Sequence, residues 1–123
     1  MPALRGRRVP KPWGYELIWA ETDRYVGKIL HIVAGHALSF QYHEHKDETI
    51  HLLSGLLDLE WAMPDGPRRT TRLRPGDSFR VTPLLRHRMT AVEDCDVLEA
   101  STPERDDVVR LEDRYGRAGT SKP

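Results

Sequence analysis

Turn-forming residues interrupt this 123-residue chain so often that no long element has room to form. Ala34-Gly35, Ser54-Gly55, Pro64-Asp65-Gly66, Arg74-Pro75-Gly76 and the acidic run Glu93-Asp94-Cys95-Asp96 each bring residues that favour tight turns. Between them lie short segments rich in Val, Ile, Leu, Trp and Thr, at residues 14–20, 25–33, 37–43, 48–53, 56–62, 68–73, 77–82, 87–92 and 96–101. In one of these, Leu57, Leu59 and Trp61 alternate with Asp58 and Glu60, which is the pattern of a half-buried antiparallel strand. Many short strands at close spacing predict an all-β barrel or sandwich. The stretch from Pro103 to Tyr115 reads differently. Thr102 is a plausible N-cap, acids stand in the first turn and Gly116 follows the end, so a short C-terminal helix is predicted.

A chain of this length holds one modest hydrophobic core, and the domain is placed at residues 10–117. Residues 1–9, basic and followed by Pro10, and residues 118–123, mostly small or polar, are expected to be loosely ordered. Lys plus Arg and Asp plus Glu both total 19, so no net charge draws the protein towards nucleic acid or anionic membrane. The local Arg cluster, Arg68, Arg69, Arg72 and Arg74, lacks the interleaved aromatics of a single-strand binder. With no long apolar run and no signal-peptide arrangement, the expected location is cytoplasmic. Exposed sheet edges make a homodimer the expected assembly. Cys95 is the only cysteine, which excludes an intrachain disulfide and a thiolate-rich zinc site. A metal, if bound, must sit on His, carboxylate or amide.

Those groups are concentrated between Gly35 and Gly55. On a strand, residues two apart share a face, so Gln41, His43 and His45 can look into one interior. Glu48, entering the next strand, can reach the same point, and His87 is the best distant candidate for a further donor. His45 fits an alternative ligand, a pocket acid or base, or a solvated strand-end residue. His31, His36 and His51 are read as structural.

These residues resemble the cupin superfamily, whose first motif is Gly, five residues, His-x-His, three or four residues, Glu, six residues, Gly. With His43 and His45 as the pair, the carboxylate would fall at Thr49 or Ile50, and neither is one. With Gln41 in place of the first His, every spacing fits: Gly35, Gln41, His43, Glu48, Gly55. Of the second motif, mapped onto Gly76, Thr82, Leu84, His87 and Ala91, the Gly and the His survive. The resemblance implies a single-domain cupin, a double-stranded β-helix or jelly-roll barrel, with one divalent metal on Gln41, His43, Glu48 and His87. That mixed N and O set suits Zn, Mn, Fe, Co or Ni.

A narrower resemblance covers Lys11 to Arg117. Lys11-Pro12-Trp13-Gly14-Tyr15-Glu16, Leu38-Ser39-Phe40-Gln41-Tyr42-His43 and the run from Asp107 to Arg117 are similar to the cupin domain of type II mannose-6-phosphate isomerases. It implies a small-molecule substrate, a sugar phosphate, whose adjacent oxygens the metal grips while a proton moves between C1 and C2. The base would be Glu48 or His45, and Lys28, Arg80, Arg86 or Arg88 would meet the phosphate. Arg110, Asp113 and Tyr115 either fold back against the barrel mouth or belong to a helix that covers a sheet edge, the second being preferred. Glu44, Thr49 and Ile50 depart from the pattern of that family. A metal-dependent dioxygenase and a non-catalytic sugar- or effector-binding module use the same platform, because function resides in the site and not the fold.

Overall fold

The turn signals act where they stand. In the computed structural model, which describes residues 1–104 and 106–121, Gly35, Gly55 and Gly76 take φ values of 83°, 94° and 99°. A side chain on Gly55 would place its Cβ 2.1 Å from the carbonyl oxygen of Asp94, so only glycine fits that turn. The chain between such turns is extended: β1 (Arg7–Lys11), β2 (Gly14–Glu21), β3 (Val26–Ile32), β4 (Phe40–Tyr42), β5 (Glu48–Ser54), β6 (Leu57–Ala62), β7 (Arg69–Leu73), β8 (Ser78–Val81), β9 (Arg86–Ala91), β10 (Cys95–Ser101), β11 (Val108–Glu112) and β12 (Gly119–Ser121). Each of the nine predicted segments overlaps one of these.

The strands form two six-stranded sheets, in the orders β1-β2-β3-β10-β5-β8 and β12-β11-β4-β9-β6-β7. All the pairings are antiparallel. Leu30, Ile32, Ile50, Leu52, Leu57, Leu59, Leu73, Met89, Ala91, Cys95 and Val97, with Trp13, form one core cluster. Alternation puts them there: Leu57 and Leu59 are fully buried while Asp58 and Glu60, on the outer face, pair with Arg72 and Arg68. Arg7–Lys11 carries strand pairing back ahead of residue 10, as an edge strand on which Pro10 is tolerated and Arg8 lies 3.7 Å over the Tyr15 ring.

The predicted C-terminal helix is not formed; there is no helix among the described residues. Thr102 does not cap one. It exchanges bonds with Asp47, whose N–H donates to Thr102 Oγ1 at 3.0 Å and whose carbonyl accepts from the Thr102 N–H at 3.0 Å. Val108 and Arg110 then point inward and Val109 outward, and β11 adds to the edge of β4. A run of local helix signals loses here to an unpaired strand edge, whose backbone groups need partners. The tail does cover a sheet edge, but as a strand.

Candidate metal centre

Four strands share one internal plan. Read in steps of two, β3 presents Ile32, Leu30 and Lys28; β5 presents Leu52, Ile50 and Glu48; β9 presents Ala91, Met89 and His87; β10 presents Cys95, Val97 and Glu99, all of them buried. The same alternation that builds the core therefore delivers polar side chains to one end of the barrel. Lys28, Glu48 and Glu99 line a cleft there, together with Gln41, His43, Lys46, Glu16, Lys11, Arg110 and Arg117. Its cavity volume is about 50 Å³.

His43 and Glu48 line this cleft, and their donor atoms lie within 4.8 Å of one another and of a donor atom of His87. His43 Nε2 is 3.9 Å from Glu48 Oε2 and His87 Nε2 is 3.5 Å from Glu48 Oε1. Both imidazoles are oriented from behind. His43 Nδ1–H donates to the Asp107 carbonyl at 2.6 Å, and His87 Nδ1–H donates to the Leu85 carbonyl at 3.1 Å. A carbonyl can only accept, so Nδ1 carries a proton on each ring, which leaves Nε2 of the neutral imidazole to face the cluster with its lone pair. His87 Nε2 is buried and makes no hydrogen bond, an exposed-lone-pair arrangement that a metal ion would satisfy. Burial, opposed by Glu48 and reinforced by the charge of Lys46, pushes the His43 pKa down to about 4, so the ring is neutral at pH 7 as a ligand must be.

Charge balance points the same way. Lys46, almost fully buried, lies 3.1 Å from Glu48 Oε2 and 3.2 Å from Glu99 Oε2. Burial alone would raise the Glu48 pKa, but Lys46 holds it well below the usual carboxylate range. Glu99 is pushed up, by burial and then by the neighbouring charge of Glu48. One ammonium serves two carboxylates, and a divalent cation would supply the missing positive charge.

Gln41 is beside the cluster, its amide nitrogen 3.4 Å from His43 Nε2 and its Oε1 accepting from the Ser39 hydroxyl. Exchanging amide N and O would turn an oxygen towards the cluster and let the amide N–H donate to Ser39, so Gln41 fits a fourth donor. The loop that holds His43 is fastened by Asp107: its carboxylate accepts the N–H groups of Glu44, His45 and Lys46 at 2.8–2.9 Å. The Asp107→Ala variant is expected to bind metal about 10- to 100-fold more weakly, as for outer partners of metal-binding histidines generally. Competition against a chromophoric chelator measures this, and undiminished affinity would show that the loop needs no such fastening.

The other predicted residues separate. Lys28 is in the cleft wall, 3.5 Å from Glu16. His45 is exposed on the β4–β5 loop and is not among the cleft-lining residues. Arg80 is exposed and bonded through two nitrogens to Asp47. Arg86 covers the Tyr42 ring at 4.1 Å, and Arg88 reaches the Glu112 carboxylate at 3.5 Å, both on the outer face of β9. Lys46 and Glu99 have no place in the sequence reading as a pair. The available signal was a charged residue breaking an inward apolar series, Cys95, Val97, Glu99, and likewise Ile32, Leu30, Lys28.

No family model and no curated protein matches this chain. Solved structures do. KdgF from Halomonas sp. superposes with a TM-score of 0.67 at 26% identity, over 84% of this chain and 91% of that one. Oxalate decarboxylase from Bacillus subtilis gives 0.77 at 13% identity, over 86% of this chain and 30% of that one. CapF gives 0.72 at 15% identity, over 87% and 34%. The chain thus spans about a third of the length of the latter two. With two antiparallel sheets closed around buried histidine and carboxylate donors, and neighbours of this kind, the chain has the fold of the cupin superfamily.

Proposed function

We propose that the protein is a metal-dependent cupin enzyme that interconverts an aldose and a ketose phosphate. The observation that carries this reading is the conjunction of the His43, Glu48 and His87 cluster, whose His43 and Glu48 line the cleft, with a buried carboxylate of the same cleft that is not one of those donors, Glu99. His43, Glu48 and His87, with Gln41, would hold one divalent metal, which would supply a Lewis acid for two adjacent sugar oxygens. Mn(II), found in the centres of oxalate decarboxylase, is the first metal to test. Glu48 is engaged with Lys46 and the histidines, and His45 is outside the cleft. Proton transfer between C1 and C2 is therefore assigned to Glu99, with Lys46 at 3.2 Å holding its carboxylate in place.

The test is metal-loaded protein with mannose 6-phosphate in D2O, followed by NMR. Ketose phosphate carrying solvent deuterium, formed equally with and without oxygen, supports isomerisation. Absence of turnover across a panel of aldose and ketose phosphates would sink it. Turnover that consumes oxygen would move the protein to the dioxygenase class, and binding without turnover to the effector-binding class.

A further inference from the structure

The two carboxylate oxygens of Glu48 have different neighbours. Oε1 faces His87 Nε2 at 3.5 Å, whereas Oε2 lies 3.1 Å from Lys46 Nζ, nearer than the 3.9 Å that separates it from His43 Nε2. We infer that Lys46 is a positioning residue for Glu48: it keeps Oε2, so that the carboxylate is offered to the metal through Oε1 alone. The inference rests on the metal centre of the proposed function and deepens it.

Lys46 is anchored at both ends. Its backbone N–H donates to Asp107 Oδ2 at 2.8 Å, and its buried ammonium also lies 3.2 Å from Glu99 Oε2. Glu99 stands on β10, and Glu48 is paired in β5 with Ser101 of β10 on one side and Val81 of β8 on the other, so both carboxylates are built into the sheet. An ammonium between two fixed carboxylates cannot follow one of them towards a metal ion without leaving the other as an uncompensated buried charge. The hold is ionic, since neither Glu48 Oε2 nor Glu99 Oε2 makes a hydrogen bond. Lys46 itself binds no metal, because an ammonium has no lone pair, and its role is exercised on Glu48.

Open coordination positions are the consequence. A carboxylate gives a metal one oxygen or two. With Glu48 giving one, the Gln41, His43, Glu48 and His87 donors fill four of about six positions and leave two, enough for two adjacent substrate oxygens. With Glu48 giving both, a single position is left, too few for that grip. Lys46 also carries a charge of the metal's own sign, and a unit charge several ångströms from a divalent ion weakens its binding about tenfold even under the screening of water. The arrangement therefore favours an open site over a tight one. Lys28, another buried cation of the same cleft, is paired with Glu16 at 3.5 Å and not with Glu48.

Mn(II) is the probe, added to the parent, Lys46→Met, Lys46→Met/Glu99→Leu and Lys28→Met. Chelator competition reads its affinity, and water-proton relaxation counts the waters on the bound ion. The parent should carry about two waters per metal and Lys46→Met about one, with Mn(II) held about tenfold or more tightly in the variant. The double variant loses one charge of each sign and replaces the pair with apolar groups, so it should fold even where the single variant does not, and it should show the same loss of water. Lys28→Met should keep the water number of the parent. A water number that stays unchanged in the Lys46 variants overturns the inference, as does Mn(II) binding to Lys46→Met that is equal to the parent's or weaker. The failures are distinguishable. A parent that takes up no Mn(II) removes the metal centre and this inference with it, whereas a parent that binds Mn(II) with a water number indifferent to Lys46 removes the inference alone. The expected loss of water in a protein that turns over no sugar phosphate refutes the isomerase reading alone.

Discussion

Replacing His87 or His43 with alanine is expected to remove nearly all the metal from the protein. Both rings are buried and both present Nε2 to the same point, their Nδ1–H groups being fixed by the Leu85 and Asp107 carbonyls. Loss of an outer partner alone costs about 10- to 100-fold in affinity, so loss of a donor should cost more. Elemental analysis after dialysis should give about one metal per chain for the parent and a small fraction of that for each variant. His31→Ala and His51→Ala are the controls, because those rings are bonded to Asp96 and Ser78, away from the cluster. Gln41→Ala should be milder than either cluster substitution, its neutral amide being the weakest donor of the four. Equal metal content in all these proteins would remove the ligand assignment and with it the proposed chemistry.

What the sequence revealed of this molecule follows from which forces act locally. Strand positions were legible because alternation and turn residues are written in neighbouring positions: Leu57, Leu59 and Trp61 declare a face without reference to the rest of the chain. The grouping of His43, Glu48 and His87 was legible through the resemblance to the cupin motif, whose spacing sets aside the register with His45 on where the carboxylate falls; strand alternation alone left Gln41, His43 and His45 open. The tail was misread for the complementary reason. Thr102, the acids and Gly116 are sound local helix signals, but the edge of β4 is a demand made by residues some seventy positions away. Of the cations the sequence offered for the substrate, Lys28 lines the cleft and the arginines do not. Arg80 and Arg88 lie near the right strands in sequence, yet their strands turn them outward, while Lys11, Arg110 and Arg117 arrive through long-range pairing. The notion that Arg110, Asp113 and Tyr115 fold back was sound in part, since Arg110 lines the cleft and Tyr115 bonds His36 at 2.7 Å.

The second large effect is expected at Lys46, which has no metal-binding role. Replacement by methionine keeps the volume but leaves Glu48 and Glu99 buried together with no cation between them. Breaking a buried ion pair by removing one partner costs about 3–5 kcal/mol, against a typical total stability of about 5–15 kcal/mol. Metal-free Lys46→Met protein should therefore melt on the order of 10–20 °C below the parent. The double variant Lys46→Met/Glu99→Leu removes one of the two stranded carboxylates and should recover much of the loss, because an apolar pair of similar size is often as stable as the ion pair it replaces. Glu99→Gln alone should cost less than Lys46→Met, since Lys46 keeps Glu48. Metal should narrow the gap between Lys46→Met and the parent, because a cation at His43, Glu48 and His87 also balances the Glu48 charge. Urea unfolding of the four proteins with and without metal resolves these terms. A Lys46→Met protein within about 1 kcal/mol of the parent in the metal-free state would mean that the two carboxylates are not ionised together, and that the cleft does not hold the negative charge on which its cation affinity depends.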